Sequence, residues 1–184
     1  MAGNKRFADG VPVNQGRDTL RRAEVAQGQS PFATILSCAD SRVTPEVIFD
    51  VGIGDLFVVR VAGNTATGPV VQGSLEFSVE NLNTVLLMVL GHQSCGAVSA
   101  ALREREPHPG QIPSVIEPIL PIARSVEHLA PHRRLDAAVE ANIRAQTQLL
   151  ADLAPIIGPA VSAGRLMVVG AEYLLDSGTV NLLT

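Results

Sequence analysis

The sequence has no tryptophan, a single tyrosine and only five phenylalanines. A core without large aromatics must be aliphatic, built from Val, Leu, Ile and Ala. These residues dominate a hydrophobic content of 46%, against 17% charged residues, which excludes a disordered chain. Cationic excess is also missing. The formal net charge is −4 and the Lys and Arg residues are scattered, so there is no nucleic-acid footprint. No long apolar run exists either: the longest, Val85 to Leu90, is far too short to cross a bilayer. The helix-like start, Met1-Ala2-Gly3-Asn4-Lys5-Arg6-Phe7, lacks the apolar stretch of a secretory signal. The expectation is one domain over residues 1–184, cytoplasmic unless a targeting segment precedes it, with no nucleic-acid or membrane partner.

Cysteine is scarce as well. Cys38 and Cys95 are the two thiols, and a lone disulfide suits an intracellular chain poorly. Metal binding or catalysis is the better use for them.

What the chain does have is concentrated in Ser37-Cys38-Ala39-Asp40-Ser41-Arg42-Val43. A thiol, a carboxylate and a guanidinium alternate there, between an apolar run (Ala33 to Leu36) and a helix start at Thr44-Pro45-Glu46. Alternate side chains of an extended segment point to one side. Three such groups at a strand end are unusual for packing and suited to chemistry.

The rest of the chain supplies the frame. Thr19–Gly28 reads as a short helix, capped by Thr19 and ended by Gly28, with so thin an apolar stripe that it needs something to dock on, such as a second subunit. Strands are predicted at 33–36, 56–61, 84–90 and 165–170. Helices are predicted at 46–50, 69–82, 96–106, 114–129 (kinked by Pro118 and Pro121) and 135–157. The tail, with a turn at Asp176-Ser177-Gly178, reads as a hairpin or edge strand. Gly52-x-Gly54 suggests half a dinucleotide fingerprint, but the third glycine position is Phe57 and the pattern precedes a strand. Alternating strands and helices predict an α/β, three-layer αβα fold. Its central, mostly parallel sheet has four to five strands in order 2-1-3-4, with a possible antiparallel edge strand. Neighbouring strands one and three would bring the Cys38 loop and the His92 loop into one crevice at their carboxyl ends.

At that crevice, His92-x-x-Cys95 places an imidazole and a thiol three residues apart. With Cys38 they form a Cys₂His set, whose softness favours zinc over magnesium or calcium. Three protein ligands leave the fourth position for water, as in a catalytic zinc site. Arg42 would hold Asp40 ionised. Asp40 either orients a zinc-bound hydroxide for attack on a small electrophile or ligates the zinc itself and closes the site. The small apolar surroundings (Ala39, Val61, Ala62, Gly63, with Phe57 and Phe77) suit a compact nonpolar substrate. His108, His128 and His132 read as solvated surface residues.

These motifs carry a family resemblance. Cys38-Ala39-Asp40-Ser41-Arg42-Val43, the Gly54-Asp55-Leu56-Phe57-Val58-Val59-Arg60 strand, Ala62-Gly63-Asn64 and Gly91-His92-Gln93-Ser94-Cys95-Gly96-Ala97-Val98 together resemble the β-class carbonic anhydrases. The similarity runs from about Gly28 to the tail, where Tyr173 and Asp176-Ser177-Gly178 also fit. The resemblance implies reversible hydration of carbon dioxide to bicarbonate and a proton, with one zinc per chain on Cys38, His92 and Cys95. It also implies an Asp40–Arg42 dyad and a substrate pocket of Gln29, Phe57, Gly96 and Phe77, the last standing where a Tyr is common. A dimer or tetramer is implied, with an N-terminal helix embracing the partner. A noncatalytic bicarbonate pocket built on a Trp is not implied, because Ile35 occupies that place. Alternatives are a related zinc hydrolase of carbon disulfide or carbonyl sulfide, and a non-enzymatic zinc or redox-sensing protein.

Overall fold

Two short helices lead into the sheet, α1 (Ala2–Ala8) and α2 (Thr19–Val25). Asp18, one residue ahead of the expected cap, closes the N-terminus of α2, its carboxylate accepting from the Arg21 amide at 2.8 Å. As its thin stripe predicted, α2 buries no residue within the chain. The computed structural model describes residues 1–103 and 108–183.

β1 (Ala33–Ser37) follows, buried at every position, then the single-turn α3 (Pro45–Ile48) with its proline at the start. Next come β2 (Leu56–Arg60), a 3₁₀ turn over Ala62–Asn64, and α4 (Pro69–Leu82), which Asn83 ends in the left-handed conformation. β3 (Leu86–His92) and α5 (Gly96–Leu102) complete the half that carries the motifs. The predicted helix through 106 therefore ends earlier, and residues 104–106 lie outside the described residues.

Prolines divide the predicted 114–129 helix more deeply than a kink would. It becomes α6 (Pro113–Ile116), a 3₁₀ turn over Glu117–Ile119, and α7 (Leu120–Ser125). The long helix α8 (Pro131–Ala151) starts four residues before the expected position, because Pro131 favours the first turn. It ends at Ala151, short of the expected 157, and a separate, unpredicted helix α9 (Ile157–Ser162) follows beyond a cis Ala154–Pro155 peptide. β4 (Met167–Tyr173) and β5 (Val180–Leu183) form the closing hairpin.

The sheet order is β2-β1-β3-β4-β5, with the first four strands parallel and β5 antiparallel at the edge. This is the expected three-layer α/β architecture. Alternation along the strands splits the core by face. Leu36, Leu87 and Val89 pack with Leu75, Ile143 and Leu150 beneath α4, α5, α8 and α9. Ile35, Met88 and Tyr173 pack with Val43 and Ile48 in a smaller cluster on the other face. Among the described residues no helix is long and apolar enough to cross a membrane.

Candidate metal centre

β1 and β3 are parallel neighbours, with Ser37 in register with Leu90. Cys38, one residue past the end of β1, therefore lies beside His92, the last residue of β3. His92 was expected in a helix-opening loop. It belongs to the strand because β3 starts and ends two residues later than the apolar run alone indicated, its register with β4 extending to His92 and Tyr173. Ser94 takes a left-handed conformation (φ 57°), turning the chain so that Cys95 comes back under the imidazole just before α5.

Cys38, His92 and Cys95 are all buried, and their donor atoms lie within 4.8 Å of one another. The two sulfurs are 4.0 Å apart. A disulfide would need about 2.05 Å, and both thiols are free. Two sulfurs bound to one zinc at about 2.3 Å in tetrahedral geometry would stand roughly 3.8 Å apart, close to what is seen. His92 Nδ1 lies 2.9 Å from the Gln93 carbonyl, which can only accept, so Nδ1 carries the proton. The lone pair is then on Nε2, which is buried and has no hydrogen-bond partner. An orphaned imidazole nitrogen facing two thiols fits a soft divalent metal ion, and the residues present fit zinc.

The thiols do not share their proton equally. Hydrogen bonding from Cys95 is the main influence lowering the Cys38 thiol below its ordinary value. The backbone amides of Asp40 and Gly63 act the same way, against burial. Cys95 moves up, through its bond to Cys38 and through burial. Cys38 is thus the readier thiolate, and the Gly63 amide donates to its sulfur at 3.4 Å.

Asp40 is gripped from one side. Arg42 donates through Nε to Oδ1 at 2.9 Å and through Nη2 to Oδ2 at 2.8 Å, and its own amide adds a third bond to Oδ1 at 3.0 Å. These bonds, the Arg42 side chain foremost, hold the Asp40 carboxyl far below the usual carboxylate range. Its Oδ2 reaches to 3.8 Å from His92 Nε2. The carboxylate therefore overlooks the donor cluster while remaining paired with Arg42.

One contributor was given no role by the sequence reading, although it ends one of the motifs. Arg60, at the end of the edge strand β2, donates to the Cys38 carbonyl at 3.2 Å and to the Asp40 carbonyl at 2.7 Å. It fixes the backbone on both sides of Ala39. The cue was an arginine ending an apolar strand parallel to the one that carries the ligand loop.

The expected pocket residues divide. Gly96 directly follows Cys95, and a Cβ there would meet nothing within 4 Å, so open space adjoins the donor cluster. Phe57 stacks on Phe77, with ring centroids 6.4 Å apart, but it is in register with Thr34. That is four residues up the strand from Cys38, roughly 13 Å at strand spacing. Gln29 precedes β1 and stands at the same far end. Phe57 and Phe77 thus do not surround the crevice of their own chain, because the parallel β2 presents its C-terminal end there and its start elsewhere. His128 and His132 are exposed as expected. His108 is half-buried, with its Nε2 shielded from solvent and unbonded, which corrects the surface reading.

Comparison with known proteins adds to this geometry. The family model described as carbonic anhydrase matches residues 33–180. A protein named carbonic anhydrase 2 from Mycobacterium tuberculosis is 39% identical over 181 residues, covering 96% of this chain and 86% of that protein. A carbonic anhydrase from Mycolicibacterium smegmatis is 37% identical over 183 residues, 98% of this chain and 88% of that one. Among solved structures, the Coccomyxa β-carbonic anhydrase bound to acetazolamide superposes with a TM-score of 0.82 at 29% identity, covering 99% of this chain and 83% of that one. A tetrameric β-carbonic anhydrase of Sordaria macrospora gives 0.82 at 22% identity, over 99% and 93%, a likeness of fold.

Proposed function

The chain belongs to the β-class carbonic anhydrases, lyases whose family reaction is the reversible hydration of carbon dioxide to bicarbonate and a proton; from that premise we propose that Cys38, His92 and Cys95 hold one zinc ion and that Asp40 orients the nucleophile. The observation that carries the reading is the buried, unpartnered His92 Nε2, facing two thiols and lying 3.8 Å from Asp40 Oδ2.

When bound, zinc supplies the Lewis acidity that makes water a competent nucleophile near neutral pH. The protein residues do the rest. Cys38, as the readier thiolate, and Cys95 give the site negative charge, while Gln93 fixes the imidazole tautomer through Nδ1. Asp40 remains ionised and can only accept, so its Oδ2 takes a hydrogen bond from the attacking oxygen and points that oxygen's lone pair at the carbon. Arg42 keeps the carboxylate from turning into the ligand cluster, which favours the open over the closed arrangement. Carbon dioxide, small and nonpolar, fits the space beside Gly96.

Gln29, Phe57 and Phe77 serve this pocket from a second copy of the chain. Their distance from Cys38 within one chain supports that reading, as does the exposure of Phe77 at 48%. The Sordaria macrospora relative is described as tetrameric, and α2, with nothing buried, is free to meet a partner. Two reduced thiolates suit a reducing compartment such as the cytoplasm.

Stopped-flow hydration of carbon dioxide by zinc-loaded protein, paired with metal analysis, tests the proposal. A protein carrying about one zinc per chain that hydrates no faster than buffer would overturn it.

A further inference from the structure

The longest helix in the described structure, α8, buries two amide side chains one turn apart. Asn142 is 1% exposed and Gln146 is 3% exposed. Burying a carboxamide is unfavourable unless its hydrogen bonds are met, and an aliphatic residue would fill the same space more cheaply. Both amides are spent on one short loop of the motif half. Asn142 Nδ2 donates to the Gly63 carbonyl at 2.9 Å, and Gln146 Oε1 accepts from the Ala66 amide at 2.8 Å. Gln146 Nε2 donates to Asn142 Oδ1 at 3.2 Å, which locks the two together. Gln72 takes the Ala66 carbonyl at 3.0 Å from α4.

The loop they hold touches the ligand cluster. Gly63 and Asn64 are both left-handed, at φ 74° and 46°, and Gly63 donates its amide to Cys38 Sγ at 3.4 Å. A glycine there has wide backbone freedom. With its carbonyl tied to Asn142 and the next amide tied to the Val61 carbonyl at 3.1 Å, that freedom is removed. The same helix face meets the other ligand strand. A Cβ on Gly91, next to His92, would lie 2.4 Å from Ile143 Cγ1. α8 therefore abuts both chain segments that deliver ligands.

We propose that Asn142 and Gln146 are positioning residues of the metal site, aiming the Gly63 amide at Cys38 Sγ and so tuning that thiolate as a ligand. The proposal rests on the assignment of Cys38, His92 and Cys95 as the ligand set. Two thiolates donate much charge to a metal and blunt its acidity. An N–H directed at one sulfur withdraws part of that charge, and it holds the sulfur in place.

The test uses metal probes that report on the sulfur and not on turnover. In full-length protein loaded with cadmium-113, NMR should show a scalar correlation between the Gly63 amide proton and cadmium across the N–H···S bond. Asn142→Leu should abolish it. In the cobalt-loaded protein, Asn142→Leu should move the sulfur-to-metal charge-transfer band to lower energy, and metal affinity should fall by roughly 10- to 100-fold. Gln146→Glu keeps the acceptor for Ala66 but not the donor to Asn142, and should give a smaller shift in the same direction. A variant that only melts earlier, with band and affinity unchanged, overturns the proposal. So does a wild-type protein whose cadmium is bound by both thiolates yet shows no correlation at Gly63. Cadmium that fails to engage Cys38 and Cys95 overturns the ligand assignment itself, and the positioning role with it.

Discussion

Asp40 and Arg42 stand two residues apart in a turn and form a two-toothed pair, with Arg42 half-exposed at 54% and Asp40 at 18%. Pairs this open to water contribute little to stability, so the value of the geometry is where it leaves the carboxylate pointing. Asp40→Ala should therefore keep its zinc and fold normally while hydration falls by roughly 100-fold, the upper range for removing a residue that orients a metal site. Cys38→Ala should lose the metal itself. Metal analysis beside stopped-flow rates separates the two outcomes, and a Cys38→Ala protein with full zinc would refute the ligand assignment. Cys38, His92, Cys95, Asp40 and Arg42 were all singled out by the sequence, because two thiols, an imidazole and a carboxylate–guanidinium pair at strand ends have few packing uses. Asn142 and Gln146 were not, and Arg60 entered only as the end of a motif, with no role assigned. Their partners are backbone groups, and Asn142 and Gln146 act on a loop 79 and 80 residues away. Side chain to backbone bonds at that separation leave no pattern to read.

Strand and helix positions were legible wherever hydrophobic period and proline agreed, as in α4, and shifted where pairing decided instead. β3 extends through Gly91 and His92 because β4 pairs with it there, which the composition of Gly91-His92 does not announce. The two glycines facing α8 explain how close that helix comes. Gly91→Ala would drive a Cβ into Ile143, and Gly170→Ala would meet the same residue at 2.9 Å. Overpacking of this kind costs about 1–3 kcal/mol, so Gly91→Ala should lower stability in urea unfolding and, through the next residue, disturb His92. The docking of α1 was wholly unread. Asp50, with no side-chain exposure, accepts from Arg6 at 2.6 Å and from the Val13 and Asn14 amides, each at 2.9 Å. Those two amides are the main cause that holds its carboxyl at about 2, below the ordinary 3.8. Because the folded value lies below the unfolded one, the stabilisation is complete above pH 4 or so and is lost as pH falls through about 2. Asp50→Asn should flatten that acid limb of stability, measured by denaturant unfolding across the window, and should free the N-terminal segment to limited proteolysis.

At the scale of the molecule, the proposed pairing of two copies would complete what one chain leaves exposed. Beneath α1 a groove of about 470 Å³ opens on the sheet, with Phe32, Met167 and Leu182 among its lining. Those three are 56%, 62% and 48% exposed. β2, at the opposite edge of the sheet from β5, carries Phe57 against Phe77 of α4, and among the described residues no strand pairs beyond it. Phe57 lies roughly 13 Å along the sheet from its own ligand cluster, so the proposed pocket role for it requires a contact in which each copy lends what it cannot use itself. This makes a complementation experiment decisive. Cys38→Ala cannot hold metal but keeps Phe57; Phe57→Ala keeps the metal site but lacks the aromatic. Each alone should be impaired, the first completely. Unfolded together and refolded as an equal mixture, half of the dimers combine one chain of each kind, and each mixed dimer contains one site with both parts. Hydration from the mixed dimers should then add about a quarter of the wild-type rate per chain, lifting the mixture above the average of the separate variants. If the mixture gives only the average of the two, Phe57 does not serve a neighbour's pocket, and the substrate must be held by residues around Gly96 alone.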